Sequence, residues 1–254
     1  MALEFTFPRD SRPDGQAARG LLAGCAHYSK ADLPLFTAGY NELCRIDLNG
    51  RRVLEVCCGQ GELVRELARA FPRVEIIGMD RYPSAGSAFR GSEREPGQAN
   101  ARYCCGDALQ LTEFGDESLD LVYGQATLHH LAHDTEAVGR EFSRVLKPGG
   151  RLVFIYEPLG HNPVWAMIRA YRIARVCMVD ESNVVLPQLE EIGRHFARGK
   201  VQFFNFLGYP FKSLGRMAGP GVFNLVYRFD GSIMDRWRGL APLAANFNVT
   251  FTKG

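Results

Sequence analysis

The chain lacks most of the features that assign a protein quickly. No apolar run approaches the ~20 residues of a membrane span, so no spanning segment and no membrane partner is expected. No block or stripe of one charge stands out: 30 basic and 28 acidic residues leave a net charge of +2, and nothing favours a nucleic-acid partner. The seven cysteines are odd in number and fit neither a disulfide framework nor a zinc site. Two adjacent pairs, Cys57-Cys58 and Cys104-Cys105, lie inside apolar segments. Neighbours on a strand point to opposite faces, so neither pair is set to chelate through both sulfurs. Buried cysteines in a reducing cytoplasm, with no metal, are the expectation. The opening MALEFTFPRDSRPDGQ has no continuous apolar core of a signal peptide, which agrees with a cytoplasmic location. There is no internal repeat and no low-complexity tract.

What is present is an ordinary globular composition, with 254 residues, 46% of them apolar, enough for one large domain. Residues 1 to about 20 read as a loose polar arm, and HYSKADLPLFTAGYNELCRIDLNG as one or two helices. From 52 to 157 short apolar runs alternate with helical patterns. RVLEVCC, VEIIGMD, ARYCCGD, LDLVYGQ and RLVFIYE are nearly continuous, as expected of strands buried on both faces of a parallel sheet. Between the last two, Asp134 caps a helix whose apolar residues Val138, Phe142, Val145 and Leu146 recur at helical spacing; Pro148-Gly149-Gly150 is expected to stop it. This alternation predicts a doubly wound α/β fold. After Glu157 a loop leads into a helix from about Pro163, in which Arg169, Arg172 and Arg175 share a face. ARGKVQFFNFLGYP adds a strand, VFNLVYRFDGSIMDRWRGL a helix, and NFNVTFTK an antiparallel last strand.

The first strand ends in VLEVCCGQG, and a helix follows. Such a loop sets a ligand against bare backbone. A dinucleotide fingerprint requires a third glycine where Val64 stands, and no Gly-Lys-Ser/Thr follows for a phosphate loop. A nucleoside ligand without phosphates fits better. Asp80, ending the second strand, is placed to accept ribose hydroxyls. Asp107, ending the third, is placed to accept an adenine amino group, with the Ala108 N–H beside it. Glu55 is expected either to orient the loop or to meet an ammonium group.

VLEVCCGQG, then MD at 79–80, GDA at 106–108, LDLVYGQATLHHL at 119–131 and VLKPGGRLVFIYEP at 145–158 together resemble a class I S-adenosylmethionine-dependent methyltransferase of the small-molecule type. The resemblance spans about residues 50–158. It implies a Rossmann-like, seven-stranded, mostly parallel sheet with helices on both faces and an antiparallel last strand. It also implies an N-terminal helical lid and an inserted cap after the fifth strand. The expected division is arm and lid 1–50, cofactor core 51–157, cap 158–221 and C-terminal helix and strand 222–254, all one domain. By the same resemblance S-adenosyl-L-methionine is the cofactor. Tyr28, Glu55, Cys57, Gly59, Gly61, Asp80, Arg81, Asp107, Ala108 and Gln125 are its expected contacts, with Gln125 near the sulfonium. The family usually has glycine where Cys57 stands.

Methyl transfer needs alignment, exclusion of water and, for an alcohol acceptor, a base. His129 and Tyr156 are the catalytic candidates. A packing role at a helix start is the other reading of His129. His130, Glu157, His161, Asn162 and Phe203 are the candidate substrate contacts, since loops after strands carry function. Tyr28, Phe36, Tyr40, Phe203, Phe204, Phe206, Tyr209 and Phe211 include candidates for an aromatic lid over the sulfonium. The Asp/Asn-Pro-Pro-Tyr pattern of base-directed amino methylation is absent, YGQA standing there instead. The expected reaction is methylation of a small molecule, in specialised metabolism. The alternative is cyclisation of the cofactor itself to azetidine-2-carboxylate and methylthioadenosine.

Overall fold

The computed structural model describes residues 1–7, 12–24, 33–82, 94–95, 98–163, 167, 171, 183–206 and 220–254. Tyr28, Tyr209, Phe211 and the Arg169, Arg172, Arg175 series lie outside the described residues. The strands are β1 (Leu3–Thr6), β2 (Arg52–Val56), β3 (Glu75–Asp80), β4 (Arg94–Glu95), β5 (Gln98–Cys105), β6 (Leu119–Gln125), β7 (Leu146–Pro158), β8 (Arg198–Phe204) and β9 (Asn246–Thr252). They form one 9-stranded sheet in the order β1-β8-β9-β7-β6-β2-β3-β5-β4. β9 runs antiparallel between β7 and β8, as expected of the last strand.

The seven expected strands are present, and the sheet carries two more, one at each edge. The two-residue β4 pairs antiparallel with β5. β1 pairs parallel with β8. The loose arm is therefore corrected: its first residues are an edge strand, and α1 (Gly15–Gly24) follows. Apolar burial docks β1. Phe5 meets Phe203 edge-on with ring centroids 5.1 Å apart, and Phe7 stacks on Phe203 at 5.9 Å. LEFTF is too short a pattern for its period to show in the sequence.

Among the described residues the remaining α-helices are α2 (Leu33–Leu43), α3 (Glu62–Ala70), α4 (Leu128–Leu131), α5 (Thr135–Val145), α6 (Leu186–Gly193) and α7 (Pro220–Arg236). Alternate residues of one strand enter opposite cores. Val53, Ile76, Leu121 and Val153 pack with α1, α2 and α3, whereas Leu54, Ile77, Val122 and Phe154 pack with α4, α5 and α6. That double burial explains the unbroken apolar runs. Asp134 caps α5 through the Ala137 N–H at 3.0 Å. The helix ends at Val145, and Pro148-Gly149-Gly150 falls inside β7, where the pairing register with β6 shifts. β8 lies within the expected cap segment yet belongs to the main sheet.

The chain moves outward through β2, β3 and β5, then returns to lay β6 and β7 on the other side of β2. Ligands in such sheets bind outside the strands' carboxyl ends, at the point where the order reverses. Val56, Asp80, Cys105 and Gln125 all end strands at that edge. α2 lies above its β7–β9 portion, held by the Asn248 side-chain amide donating to the Leu35 carbonyl at 2.9 Å and by Lys200 on Glu42 at 2.7 Å.

Phe203 is fully enclosed between β1 and the core. Phe203→Ala is expected to cost about 3–5 kcal/mol, read as a fall in the denaturant midpoint.

Candidate functional site

The glycine loop leaves β2 through three left-handed residues: Cys57 at φ 51°, Gly59 at 53° and Gly61 at 68°. The Gly61 N–H donates to the Cys58 carbonyl at 2.8 Å and the Cys58 N–H to that of Met79 at 3.0 Å. The two glycines do different work. A methyl group built on Gly59 meets nothing within 4 Å, so this position opens onto free space. One built on Gly61 would stand 2.4 Å from Cε1 of Tyr103. Gly61 thus makes room for the Tyr103 ring beneath the loop. Cys57 occupies a conformation that costs a side-chain-bearing residue about 1–3 kcal/mol. It and Cys58 pack into opposite cores, and burial pushes the Cys57 thiol up to about 12.

Beside the loop stand the carboxylates of β3 and β5. Asp80 accepts the Gly59 N–H at 2.9 Å and the Tyr82 N–H at 3.0 Å, one on each oxygen. Asp107 accepts the Leu109 N–H at 2.9 Å and Arg81 at 2.6 Å. The Leu109 N–H, joined by Arg81, holds the Asp107 carboxyl below its ordinary range. Arg81 thus binds a neighbouring acid. Ala108 is buried next to that pair.

On the β6–β7 side the wall is aromatic. Tyr156, at φ 63°, stacks on Phe36 of α2 with centroids 4.7 Å apart. Phe36 stacks in turn on Tyr40, whose hydroxyl donates to Gln125 Oε1 at 3.4 Å. Asn248 accepts the Tyr156 N–H at 2.8 Å. Phe204 packs with Leu35 and Ala38 of α2, and Tyr156 packs against that group. Phe203, the expected substrate contact, points to the other core. Strand alternation puts its neighbour Phe204 on the α2 side instead.

The sequence also misplaces Glu157. It is fully buried, with its carboxylate turned to backbone N–H groups. Its carboxylate accepts the backbone N–H groups of Thr127 at 2.6 Å, Leu128 at 2.9 Å and His129 at 3.2 Å. It also contacts Nδ1 of His129 at 2.9 Å. Glu157 thus holds the His129 ring and the start of α4 together. His129 is itself buried, with the His130 ring 4.1 Å away. His161 and Asn162 pin the loop after β7: His161 Nε2 accepts the Leu186 N–H at 2.8 Å, and Asn162 donates to the Leu243 carbonyl at 2.8 Å.

Two residues the motif reading passed over complete the base of the site. Tyr103 supports Gly61. Tyr123 donates to Glu55 Oε2 at 2.8 Å, the two being paired across β2 and β6. A tyrosine in register with an acid on the neighbouring strand was the available signal. Of the two roles open to Glu55, burial favours orienting the loop: the carboxyl also accepts the Val64 N–H at the start of α3. Burial raises its pKa to about 8, against the opposing pull of those hydrogen bonds.

Two predictions follow from this geometry. Gly61→Ala is expected to destabilise by about 1–3 kcal/mol through the Tyr103 collision, on top of the positive-φ penalty that Gly59→Ala shares; thermal unfolding of the pair reads the difference. A native Glu55 that holds its proton up to about 8 binds it more tightly than the unfolded chain does. Stability therefore falls as pH rises from the unfolded carboxyl pKa towards 8. Glu55→Gln is expected to flatten that decline in unfolding measurements across the window.

A family model described as a methyltransferase domain matches residues 53–150. The chain is 38% identical over 125 residues to the sterol 24-C-methyltransferase of Aspergillus fumigatus, covering 48% of this chain and 30% of that protein. It is 36% identical over 122 residues to the demethylmenaquinone methyltransferase of Deinococcus radiodurans, covering 48% and 49%. The matched stretches thus span less than half of either relative. A solved methyltransferase from Archaeoglobus fulgidus shares the fold over 92% of this chain and 98% of that one, with TM-score 0.58 at 17% identity. Phosphoethanolamine N-methyltransferase 2 of Haemonchus contortus, solved with S-adenosyl-L-methionine, shares it over 94% and 60%, with TM-score 0.53 at 16% identity. Residues 53–150 of this chain thus match a methyltransferase domain, and the chain shares the fold of solved methyltransferases.

Proposed function

We propose that this chain transfers a methyl group from S-adenosylmethionine to an apolar small molecule. The observation that carries the reading is the cradle at the β2, β3 and β5 ends. There Gly59 opens onto free space, and Asp80 and Asp107 stand at adjacent strand ends beside it. The residues fit the cofactor. A carboxylate has about four acceptor positions, so Asp80 keeps capacity for two ribose hydroxyls beyond its two backbone bonds. Asp107 keeps the same capacity towards an amino group, with Ala108 beside it. When bound, the cofactor supplies a methyl on cationic sulfur. Phe36, Tyr40 and Tyr156, stacked on one another, exclude water from the Gln125 side. His129, held by Glu157 at the start of α4, is the candidate base for a hydroxyl acceptor.

An apolar acceptor agrees with that aromatic wall and with the sterol and demethylmenaquinone in the relatives' names. We place the reaction in biosynthesis, in cytoplasmic specialised metabolism, with no nucleic-acid partner. Ring closure of the cofactor, its amino nitrogen attacking its own γ-carbon and expelling methylthioadenosine, would use the same cradle.

Calorimetry and mass spectrometry with S-adenosylmethionine alone test the reading. The expected result is binding of unchanged cofactor, weakened at least ~30-fold in Asp80→Ala by the lost charged hydrogen bonds. No binding by the wild type, or equal binding by the variant, removes the assignment. Methylthioadenosine above a protein-free control establishes the cyclisation instead.

A further inference from the structure

α7 carries two large apolar side chains on its outward face. Its inward face buries Asp230 and Met234, each 1% exposed. Outward, Leu225 is 69% and Phe229 59% exposed. Leu225, Phe229, Ser232 and Arg236 follow at spacings of four, three and four, which places them on one stripe of the helix. Arg228 is exposed at its side, and Trp237, 59% exposed, ends it. Arg238 follows with its side chain 67% exposed, 3.9 Å from Asp235. The exposed charges of this segment are thus Arg228, Arg236 and Arg238 against one acid. Exposed large apolar side chains need a reason when they share one face and basic side chains outnumber acidic ones around them.

We propose that this face of α7, with the turn that follows it, docks on the headgroup surface of an anionic phospholipid bilayer. Leu225 and Phe229 enter the acyl boundary, Trp237 sits at headgroup depth, and the arginines meet lipid phosphates. The charge pattern selects this occupant. Pairing the stripe with a second copy of itself would set Arg228 and Arg236 of one chain near those of the other. No helix among the described residues is long and apolar enough to cross a membrane, and surface docking requires none. The expectation of no membrane partner rested on that missing span and leaves the surface mode open. The proposal goes beyond the methyl-transfer reading, to which it adds a phase in which an apolar acceptor dissolves.

The test is co-sedimentation of the full chain with phosphatidylcholine vesicles, with and without phosphatidylglycerol. Binding is expected only with the anionic lipid, falling as salt rises. L225S/F229S is expected to lower partitioning at least about 10-fold, and R228Q/R236Q to remove the dependence on anionic lipid. Both are surface changes, and S-adenosylmethionine affinity equal to wild type confirms that they fold. Absence of sedimentation with either vesicle overturns the proposal, as does equal sedimentation of both variants. Dimerisation in the ultracentrifuge that L225S/F229S abolishes gives the face to a second copy and also overturns it. If vesicles bind and S-adenosylmethionine does not, the methyl-transfer reading falls and this proposal stands.

Discussion

The site depends on carboxylates that satisfy backbone N–H groups where parallel strands stop. A parallel sheet sends every strand's carboxyl end to one edge, and the chain must turn there. Each turn strands donors that burial makes costly, about 1–3 kcal/mol for each left unpaired. Glu157 takes three consecutive ones at the β6–α4 turn. Asp80 takes two, one from the glycine loop and one from the turn after β3. Asp107 takes that of Leu109, and Glu55 takes that of Val64. The acids that make a ligand edge therefore first make the edge itself.

That double use explains where sequence reasoning succeeds and where it fails. An acid at a strand end was legible from the sequence at Glu55, Asp80, Asp107 and Glu157. Whether it faces outward or inward depends on the parity of the strand and on what packs over it. Asp80 and Asp107 stay partly open, whereas α4 folds over Glu157 and closes it off. The same one-residue parity separates Phe203, in the core under β1, from Phe204, packed with Leu35 and Ala38. The central strands and α5 were legible because double burial and a capped helical period leave long, redundant patterns. β1 was not: four residues cannot show a period, and its docking is a tertiary event between Phe5, Phe7 and Phe203. The Gly61–Tyr103 contact is equally silent in sequence, since a glycine spared for a ring and one spared for a ligand are written the same way.

Backbone strain gathers at this same edge. Among the described residues, four of the five non-glycine residues at positive φ, Cys57, Ala126, Tyr156 and Asn205, lie at or near the carboxyl ends of β2, β6, β7 and β8; the fifth, Glu117, precedes β6. Each such residue costs about 1–3 kcal/mol and persists only where its surroundings over-determine it. Those surroundings are visible. Cys57 sits between the Cys58–Met79 backbone bond and a packed thiol, and the Ala126 N–H donates to the Ile155 carbonyl. Asn248 accepts from the Tyr156 N–H, and Asn205 donates to Asn246. Two of these supports come from β9, the antiparallel strand slotted between β7 and β8.

β9 therefore acts on the site without reaching the cradle. Its inserted, reversed course lets Asn248 bond both Tyr156 below and the Leu35 carbonyl of α2 above. One side chain thereby fixes the strained strand end and the helix that covers it. The Phe36–Tyr156 stack spans the same junction. The aromatic wall is thus set from behind, by Asn248 of β9, while the cradle is set from below by Glu55, Tyr123 and Tyr103. The two halves meet at Gln125, the end of β6, where the hydroxyl of Tyr40 ties the wall to the sheet.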